Sequence, residues 1–528
     1  MVFMRNRRKH SDNFYAESRR AFLRCGATLP LIVWADAVVP GVVKRRPKFS
    51  DHPFQLGVAS GEPTPTGVVL WTRLAPQPLT GGGMPTENIA VKWQVADDEA
   101  MTKIVRKGTA IATPQLGHSV HVEVNGLKPN HWYWYRFDVS GEESAVGRTR
   151  TTPGYQYLPE KMRFAFASCQ HYETGLYTAY EHMAREDLDL VVHLGDYIYE
   201  KKAKDGEVRK HIGPELATLE QYRNRYAQYK SDDILQAMHA AVPWIVTWDD
   251  HEFDNNYADH ISEEPEVAVS DFLVRRANAY QAYYEHMPLR RYSVPRGPDL
   301  RLYRSLPFGR LARFCVLDTR QYRTDQPNGD GIMPLTGDVF SPRATMLGRP
   351  QEKWLAADLL KSQSEWNILA QQVVMAQLKH VRDEEKGYAM DKWSGYDLPR
   401  RRLLEFLADR KVPNPVVLTG DVHKNYVNDL YIDAEDYNSA PVAAEFVGTS
   451  ISSGGDGEQK LPDHDQLAAD NPFLKFSNGE RGYVSCTVTP NEWRSDYQMV
   501  EYVTRPGAPL ITRASFVVEH GVPGVKPV

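Results

Sequence analysis

The stretch Leu190-Val-Val-His-Leu-Gly-Asp-Tyr-Ile-Tyr199 runs from an apolar segment through Gly195 into an aspartate and two tyrosines. A short apolar run that stops at a glycine is typical of a buried strand in a sheet. Asp196 and Tyr199 stand where this strand ends. Ligands of open α/β sheets bind outside the carboxyl ends of the strands, so a carboxylate and a phenol at this position indicate a metal site.

Three other apolar runs end in polar side chains of the same kind. They reach Ser168-Cys169, then Trp248-Asp-Asp-His-Glu252, then Gly420-Asp-Val-His423. If the four strands share one edge, their ends together offer a thiol, a phenol, imidazoles and at least three carboxylates. This combination of soft and hard ligands predicts a centre that holds more than one metal ion.

Length and charge constrain the function less. The chain has 528 residues, which is long enough for two or more domains with large cores. Its formal net charge of -5 gives no argument for nucleic-acid binding. We therefore expect no specific nucleic-acid partner.

Residues 1–37 have the features of an export signal. Paired arginines occur in Ser18-Arg-Arg-Ala-Phe-Leu-Arg24, a short apolar run follows from Gly26 to Val33, and Ala35-Asp-Ala37 fits a cleavage site. The pattern predicts a twin-arginine (Tat) signal peptide, and the Tat export machinery is then a partner. The alternative is an amphipathic start whose arginines are solvated. Export predicts a periplasmic, cell-wall associated or secreted protein.

Beyond this signal, no segment has 18 uninterrupted apolar residues, so we expect no stable membrane span in the mature protein. Cleavage after Ala37 would remove Cys25 and leave three cysteines, which can form at most one disulfide. Cys315 and Cys486 lie in β-like runs that predict buried, inert thiols. Cys169 ends its strand beside polar residues, which favours a thiolate metal ligand.

Two kinds of periodicity divide the rest of the chain. Residues 50–153 alternate apolar and polar positions in short runs separated by Gly, Pro and Asn, which predicts a β-sandwich of immunoglobulin or fibronectin type. From 160 to 520, strands alternate with helical stretches, which predicts an α/β domain. Helices are expected over 177–186, 219–239 and 400–410. The acidic segment 456–470 is expected to be a solvated loop.

Seven motifs follow one another along the chain: Ser168-Cys-Gln170, Gly195-Asp-Tyr-Ile-Tyr-Glu200, Trp248-Asp-Asp-His-Glu-Phe-Asp-Asn-Asn-Tyr257, Asp318-Thr-Arg-Gln-Tyr322, Met346-Leu-Gly348, Gly395-Tyr396 and Gly420-Asp-Val-His423. In these motifs and their order the chain resembles the PhoD-type alkaline phosphatase/phosphodiesterase family, and the resemblance covers essentially the whole chain. It implies a four-layer, metallophosphoesterase-like α/β sandwich over 160–520, with two mixed sheets flanked by helices, after the N-terminal β-sandwich.

The resemblance also implies the cofactors, Fe3+ and Ca2+. Thiolate and phenolate suit Fe3+, whereas carboxylate and amide oxygens suit Ca2+. The ligands implied for Fe3+ are Cys169, Asp196, Tyr199 and His423. Those implied for Ca2+ are Asp196 as a bridge, Asp421, Asp250 and Asn255, with Asp249 or Asn256 as replacements for either of the last two.

The implied activity is that of an exported, metal-dependent phosphatase and phosphodiesterase. It would hydrolyse phosphate mono- and diesters through a metal-bound hydroxide, for phosphate scavenging. Asp196 would act by bridging the metals, and His251 would protonate the leaving alkoxide. The structural alternative for His251 is an orientation by Glu252. Asp318 is kept out of the ligand set, because it could pair with Arg320 or Arg323.

Two other functions are compatible with these motifs. A phospholipase D-like phosphodiesterase would use the same scaffold and differ in the shape of its pocket. A non-catalytic exported protein could bind a wall polymer through the β-sandwich and keep the metal site for structure. The complete set of candidate ligands argues against this second alternative.

Overall fold

A computed structural model describes residues 43–44, 47–382 and 385–528, so the signal-peptide prediction lies outside the described residues. The strands are β1 (Val43–Lys44), β2 (Val58–Thr64), β3 (Gly67–Arg73), β4 (Asn88–Ala96), β5 (Ile104–Ala112), β6 (Ser119–Asn125), β7 (Trp132–Val139), β8 (Glu142–Glu143), β9 (Gly147–Arg150), β10 (Met162–Ala167), β11 (Leu190–His193), β12 (Trp244–Val246), β13 (Arg304–Phe308), β14 (Ala312–Val316), β15 (Ile332–Met333), β16 (Trp366–Ala370), β17 (His380–Arg382), β18 (Glu385–Ala389), β19 (Pro415–Thr419), β20 (Asn425–Leu430), β21 (Ala443–Val447), β22 (Leu474–Asn478), β23 (Arg481–Val488), β24 (Glu492–Val500), β25 (Leu510–Glu519) and β26 (Val522–Pro527).

The helices lie mostly between the strands of the α/β part. The α-helices are α1 (Thr178–Met183), α2 (Leu219–Lys230), α3 (Asp233–Ala241), α4 (Val269–His286), α5 (Gly348–Leu359), α6 (Asp397–Asp409) and α7 (His464–Asp470). Short 3-10 helices cover Pro114–Leu116, Arg291–Ser293, Gly337–Phe340 and Trp393–Tyr396.

Two large mixed sheets organise the chain. The ten-stranded sheet has the order β26-β25-β24-β23-β10-β11-β12-β2-β3-β6, and the seven-stranded sheet has the order β13-β14-β16-β19-β21-β20-β22. In the first sheet β10, β11 and β12 run parallel while β23 is antiparallel to β10. In the second sheet β14, β16, β19 and β21 are parallel.

The two sheets face each other and helices cover their outer faces. Phe164 and Val192 of the first sheet share a core with Ile368 and Leu418 of the second. Helices α1 to α4 pack on the outside of the first sheet, and α5 to α7 pack on the outside of the second. Strands buried on both faces need continuous apolar runs, which is the pattern of the strand sequences. The four-layer α/β prediction is confirmed.

The N-terminal β-sandwich is also confirmed, but one of its sheets is shared. A six-stranded sheet built on β4, β5 and β7 packs against β2, β3 and β6 around a common apolar core. Strand β2 then pairs in parallel with β12, where Gly61 lies opposite Trp244. Near residues 151–154 the sequence pattern changes from that of the β-sandwich to that of the α/β part. The structure nevertheless joins these two parts by hydrogen bonds in one sheet.

Two local expectations need correction. The helical stretch 219–239 is two helices, because the Asp232 carboxylate accepts from the backbone N–H of Ile234 and Leu235 and begins α3 there. The acidic segment 456–470 is not a loop throughout, since α7 occupies its end and buries Leu467.

Among the described residues, no helix is long and apolar enough to span a membrane. Cys169, Cys315 and Cys486 are all free and buried.

Candidate metal centre

The ends of β10, β11, β12 and β19 meet in one place, and their backbone is unusual there. Cys169, Asp196, Asp421 and His423 have φ angles of 58°, 55°, 66° and 53°. Residues other than glycine rarely adopt this left-handed conformation, and such residues cluster at functional sites. The turns after three of the four strands therefore hold their side chains in a conformation that the surrounding structure must enforce.

Gly195 brings two of these turns into contact. Its φ is 114°, and a Cβ atom at this position would lie 2.4 Å from the backbone nitrogen of Asp249. Only glycine fits both the conformation and the distance. Glu252 fixes the same pair of turns, because its buried carboxylate accepts from the backbone N–H of Asp196, Tyr197 and Asp249 at 3.0, 2.6 and 2.9 Å.

The four side chains predicted to hold iron come together. Ligand atoms of Cys169, Asp196 and His423 all lie within 4.8 Å of one another. The Tyr199 hydroxyl donates to Asp196 Oδ2 at 2.9 Å and lies 3.1 Å from His423 Nε2. Tyr197 points elsewhere, with its hydroxyl 2.7 Å from His239 Nε2 in the core. The structure thus agrees with Tyr199, rather than Tyr197, as the tyrosine of the cluster.

The electrostatics of this cluster suit a cation. Burial, followed by neighbouring acidic groups, raises the pKa of the Cys169 thiol, the Tyr199 phenol and the Asp196 carboxyl well above their usual values. Burial lowers the pKa of His423 to about 3, which leaves a neutral imidazole. Asp196 Oδ1 is buried and has no hydrogen-bond partner among the described residues. The donors fit a metal whose charge would stabilise thiolate, phenolate and carboxylate.

A second cluster consists of oxygen ligands. Carboxylate oxygens of Asp249, Asp250 and Asp421 lie within 4.8 Å of one another, and Asp196 and Asp250 form a further group with His251. Asp196 therefore belongs to the first cluster and also to a group that contains a member of the second. Asp249 Oδ2 is buried without a hydrogen-bond partner among the described residues. Hard carboxylate oxygens with free lone pairs fit Ca2+.

Asn255 does not join these carboxylates. Its side-chain amide donates to Glu263 Oε2 at 2.7 Å, and the side chain is half-buried. Asn256 donates its backbone N–H to Asp250 Oδ2 at 2.7 Å while its amide reaches Asp330. The replacement named for this position, Asp249, lies in the cluster. Calcium binding by Asn255 stays a prediction that this geometry does not support.

Basic side chains that the sequence analysis missed surround the second cluster. The guanidinium of Arg320 is fully buried and contacts Asp249, Asp391 and Asp421, the last at 2.9 Å. The Lys392 ammonium contacts Asp391 at 2.9 Å and also Asp421. Burial opposes ionisation, but Arg320 and the neighbouring cations hold the pKa of Asp391 well below its usual value.

The charges of this region do not cancel. Arg323 also contacts Asp391, at 2.7 Å, so three cationic side chains face four carboxylates, those of Asp249, Asp250, Asp391 and Asp421. The net charge of these side chains is therefore negative, and the carboxylate of Asp196 makes it more negative. Buried carboxylates in excess of their cations are costly unless a metal or a proton neutralises them.

His251 stands at the rim of both clusters and is oriented by Glu200. Its Nδ1 lies 2.7 Å from Glu200 Oε2, and 18% of the side chain is exposed. Glu252, the partner named in the structural alternative, instead holds backbone N–H groups, so the carboxylate that orients His251 is that of Glu200. Burial opposes the charge, yet Glu200, Asp250 and Asp196 raise the pKa of His251 well above 6.5. These carboxylates therefore favour the protonated form of the imidazole.

Asp318 lies outside the clusters, as expected, but for a different reason. It accepts from the backbone N–H of Arg320 and Gln321 and from the Gln321 amide, and forms no ion pair with the Arg320 guanidinium. Its role is to shape the turn that carries Arg320. The Asp318-Thr-Arg-Gln-Tyr322 motif could have identified Arg320, whereas Lys392 follows β18, a short strand that the sequence did not predict.

Comparison with known proteins decides the family. The chain matches the model of the PhoD-like phosphatases over residues 164–497 and the model of their N-terminal domain over 41–153. The chain belongs to the PhoD-like phosphatase family. It is 52% identical to alkaline phosphatase D of Bacillus subtilis (strain 168) over 520 residues, which is 97% of this chain and 89% of that protein.

A solved structure, described as the structure of PhoD, superposes on this phosphatase with a TM-score of 0.89. The two share 54% sequence identity, over 91% of this chain and 93% of the other. This phosphatase is therefore a phosphoric ester hydrolase of the alkaline phosphatase D type, and its substrates are phosphate esters.

Proposed function

We propose that this phosphatase is a metal-dependent, exported enzyme that hydrolyses phosphate mono- and diesters, with Fe3+ and Ca2+ as its cofactors. The observation that carries the proposal is the position of Asp196. It belongs to the Cys169, Asp196 and His423 group and to the Asp196, Asp250 and His251 group, and one of its buried oxygens lacks a partner among the described residues.

The two clusters divide the ligands by chemistry. Cys169, Asp196, Tyr199 and His423 would hold Fe3+, and Asp196, Asp250 and Asp421, together with Asp249, would hold Ca2+. When bound, these metals would supply Lewis-acid binding of phosphate oxygens and would lower the pKa of a bound water.

The protein's own residues would hold the candidate metal ligands in position and deliver a proton. Glu252 keeps the turns of Asp196 and Asp249 together, and Arg320 holds Asp249 and Asp421 in place. His251, oriented by Glu200, would donate a proton to the leaving alkoxide. No nucleophilic side chain is required by this arrangement.

Export is proposed from residues 1–37 alone, through the Tat machinery to the periplasm, the cell wall or the medium. Fractionation of the producing cells tests it. Enzyme confined to the cytoplasm, with an uncleaved N-terminus, would refute this part of the proposal and leave the activity untouched.

A substrate panel tests the breadth of the reaction. We expect turnover of both a simple phosphate monoester and a phosphate diester, because a water-derived nucleophile does not depend on the number of ester links at phosphorus. The measurement is the release of alcohol from matched monoesters, diesters and phospholipids, with orthophosphate as the second product for monoesters and a phosphate monoester as the second product for the other two. Turnover of phospholipids with little monoester cleavage would replace this proposal by the phospholipase D-like alternative.

Replacement of His251 isolates the proton donor. His251→Ala should lower turnover of alkyl phosphate esters by on the order of 10²–10⁴ and that of nitrophenyl esters much less, since a good leaving group needs no proton. The matched control is His171→Ala, because the rings of His171 and His251 both lie 4.2 Å from the Tyr199 ring. Equal losses on alkyl and aryl esters, with metals retained, would assign His251 to substrate binding or structural support.

Iron can be detected by colour. A phenolate or thiolate bound to Fe3+ should give the purified enzyme a visible charge-transfer band, and Tyr199→Phe should shift or weaken it. Tyr197→Phe is the matched control, because that tyrosine lies two residues away and its hydroxyl contacts His239. A colourless enzyme with stoichiometric iron would exclude both Tyr199 and Cys169 as iron ligands.

A further inference from the structure

A small cavity lies where the N-terminal β-sandwich meets helices α2 and α4. Its volume is about 140 Å³, and Arg73, Gly82, Thr86, His118 and Arg223 are among its lining residues. Ligand pockets for drug-sized molecules are larger, on the order of 300 Å³ or more, whereas a single water needs only roughly 10–15 Å³. The cavity therefore suits a small ligand or a few waters.

Arg73 is the unusual member of this lining. It is 1% exposed, donates from Nε to the Gly117 carbonyl oxygen at 2.8 Å, and places Nη1 2.8 Å from His286 Nε2. Its Nη2 donates to no group of the described residues. A Cβ atom at Gly82 would lie 3.3 Å from this nitrogen, so Nη2 faces the cavity wall that Gly82 leaves open.

Four other buried arginines differ from Arg73 in their partners, whereas Arg225, which is also 1% exposed, shares the lack of a carboxylate and donates to the carbonyl oxygens of Tyr199 and Lys201. Arg276, Arg320, Arg323 and Arg400 are equally buried, and each has a carboxylate within 4.0 Å. Arg73 has no such carboxylate among the described residues. A buried charge without a counter-ion is costly, and burial lowers the pKa of Arg73 to about 10. A mobile anion would satisfy this guanidinium.

The neighbouring charges leave Arg73 available. Glu285 is the nearest acidic group that influences it, but both Glu285 oxygens are held by Arg223 at 2.6 Å. Arg223 itself also lines the cavity, and its Nη1 donates to no group of the described residues. Glu220, beside Gly81, is exposed, so water screens its charge. His118 contributes no charge, because burial lowers its pKa.

An adjoining open groove adds one lysine, Lys48, that pairs with no carboxylate of the described residues. It shares Met84 and Pro85 with the cavity, and its lining includes Lys44 and Lys48. Lys44 is paired with Glu87 at 3.3 Å. Lysines near the entrance of a pocket raise the local concentration of anions.

We propose that this cavity is a binding site for a small oxyanion, such as orthophosphate, held by the guanidinium groups of Arg73 and Arg223. Planar guanidinium groups present paired N–H donors that match the oxygens of such anions. The cavity is built from β3, the glycine loop at residues 81–83 and α2, so a bound anion would tie the β-sandwich to the α/β part. The site is separate from the residues of the metal centre.

The test measures bound phosphate by equilibrium dialysis of the holoenzyme with labelled orthophosphate. Thr86 is an exposed residue of the cavity wall, so Thr86→Glu places a carboxylate there without disturbing a buried contact, and Thr86→Gln is the matched control. Thr86→Glu is expected to weaken one equivalent of binding at least about tenfold by like-charge repulsion, while Thr86→Gln binds as the native enzyme does. Phosphate bound by the metal centre is common to both variants and cancels in their difference.

Arg73→Met should remove the same equivalent, and Thr86→Glu keeps the test valid if the Arg73 variant fails to fold. Equal binding by Thr86→Glu and Thr86→Gln would overturn the proposal and leave a cavity filled by water. Sulfate should displace the same equivalent, because charge and oxygen geometry are what the arginines recognise. An equivalent of phosphate that sulfate cannot displace would overturn the assignment to a general oxyanion site.

Discussion

Asp196→Asn is expected to lower turnover by on the order of 10³-fold or more on every phosphate ester, aryl and alkyl alike. Metal ions contribute several kcal/mol of transition-state stabilisation, and each 1.4 kcal/mol is a factor of ten in rate. Asp196 belongs to a group with Cys169 and His423 and to a group with Asp250 and His251, so its loss disturbs both predicted metal sites. The measurements are turnover and metal content on the same samples.

Asp318→Asn is the matched control for this substitution. Asp318 is a fully buried aspartate of the same domain, but it accepts from backbone and amide N–H groups and belongs to no metal-ligand cluster of the described residues. Because Asp318 acts only through the turn that carries Arg320, we expect this variant to keep its metals and to lose much less activity than Asp196→Asn. Full activity of Asp196→Asn with both metals still bound would rule out the bridging role.

Removal of calcium is the second large effect that we expect. A calcium chelator should abolish activity, and added Ca2+ should restore it, because oxygen ligands bind Ca2+ in a flexible and reversible way. The thiolate, phenolate and imidazole ligands of the other cluster should keep their iron during this treatment. The visible band should therefore persist while turnover is lost.

The control for this experiment is a comparison of the two metals that are added back, Ca2+ and Zn2+. Ca2+ should restore turnover without any change in the visible band, whereas Zn2+ should not restore it. Recovery with Zn2+ alone would assign a different metal to the cluster of Asp249, Asp250 and Asp421. Activity that survives complete removal of calcium, verified by metal analysis, would disprove the calcium requirement.

The four strand ends were readable in the sequence because a strand that is buried on both faces must be apolar throughout. The polar residue that follows such a run stands out, which is how Cys169, Asp196, Asp249 and Asp421 were found. Helix boundaries were less certain. The stretch 219–239 has one amphipathic pattern, but the capping carboxylate of Asp232 divides it into two helices.

The site was predictable only in part, because only some of its residues follow the apolar strands that the sequence shows. Cys169, Asp196 and Tyr199 follow β10 and β11, which are parallel neighbours in one sheet, whereas His423 follows β19 of the second sheet and joins them only because the two sheets pack face to face. Lys392 follows β18 (Glu385–Ala389), but this strand belongs to the separate three-stranded sheet and was not predicted. It reaches Asp421 because the segment after β18 packs on the second sheet, where Trp393 shares a core with Leu369 and Val417.

The sequence alone determined three things: which polar residues follow the strands, the division into a β-sandwich and an α/β part, and the family resemblance. Each depends on patterns of residues that are near one another in the chain. The tertiary structure decided the other three: the partner of His251, the presence of Asp249 rather than Asn255 in the carboxylate cluster, and the sheet that joins β2 to β12. These contacts connect residues that are 51 positions apart (Glu200 and His251) or 183 positions apart (Gly61 and Trp244), or they depend on where a turn aims one side chain. Local sequence preference carries no information about either.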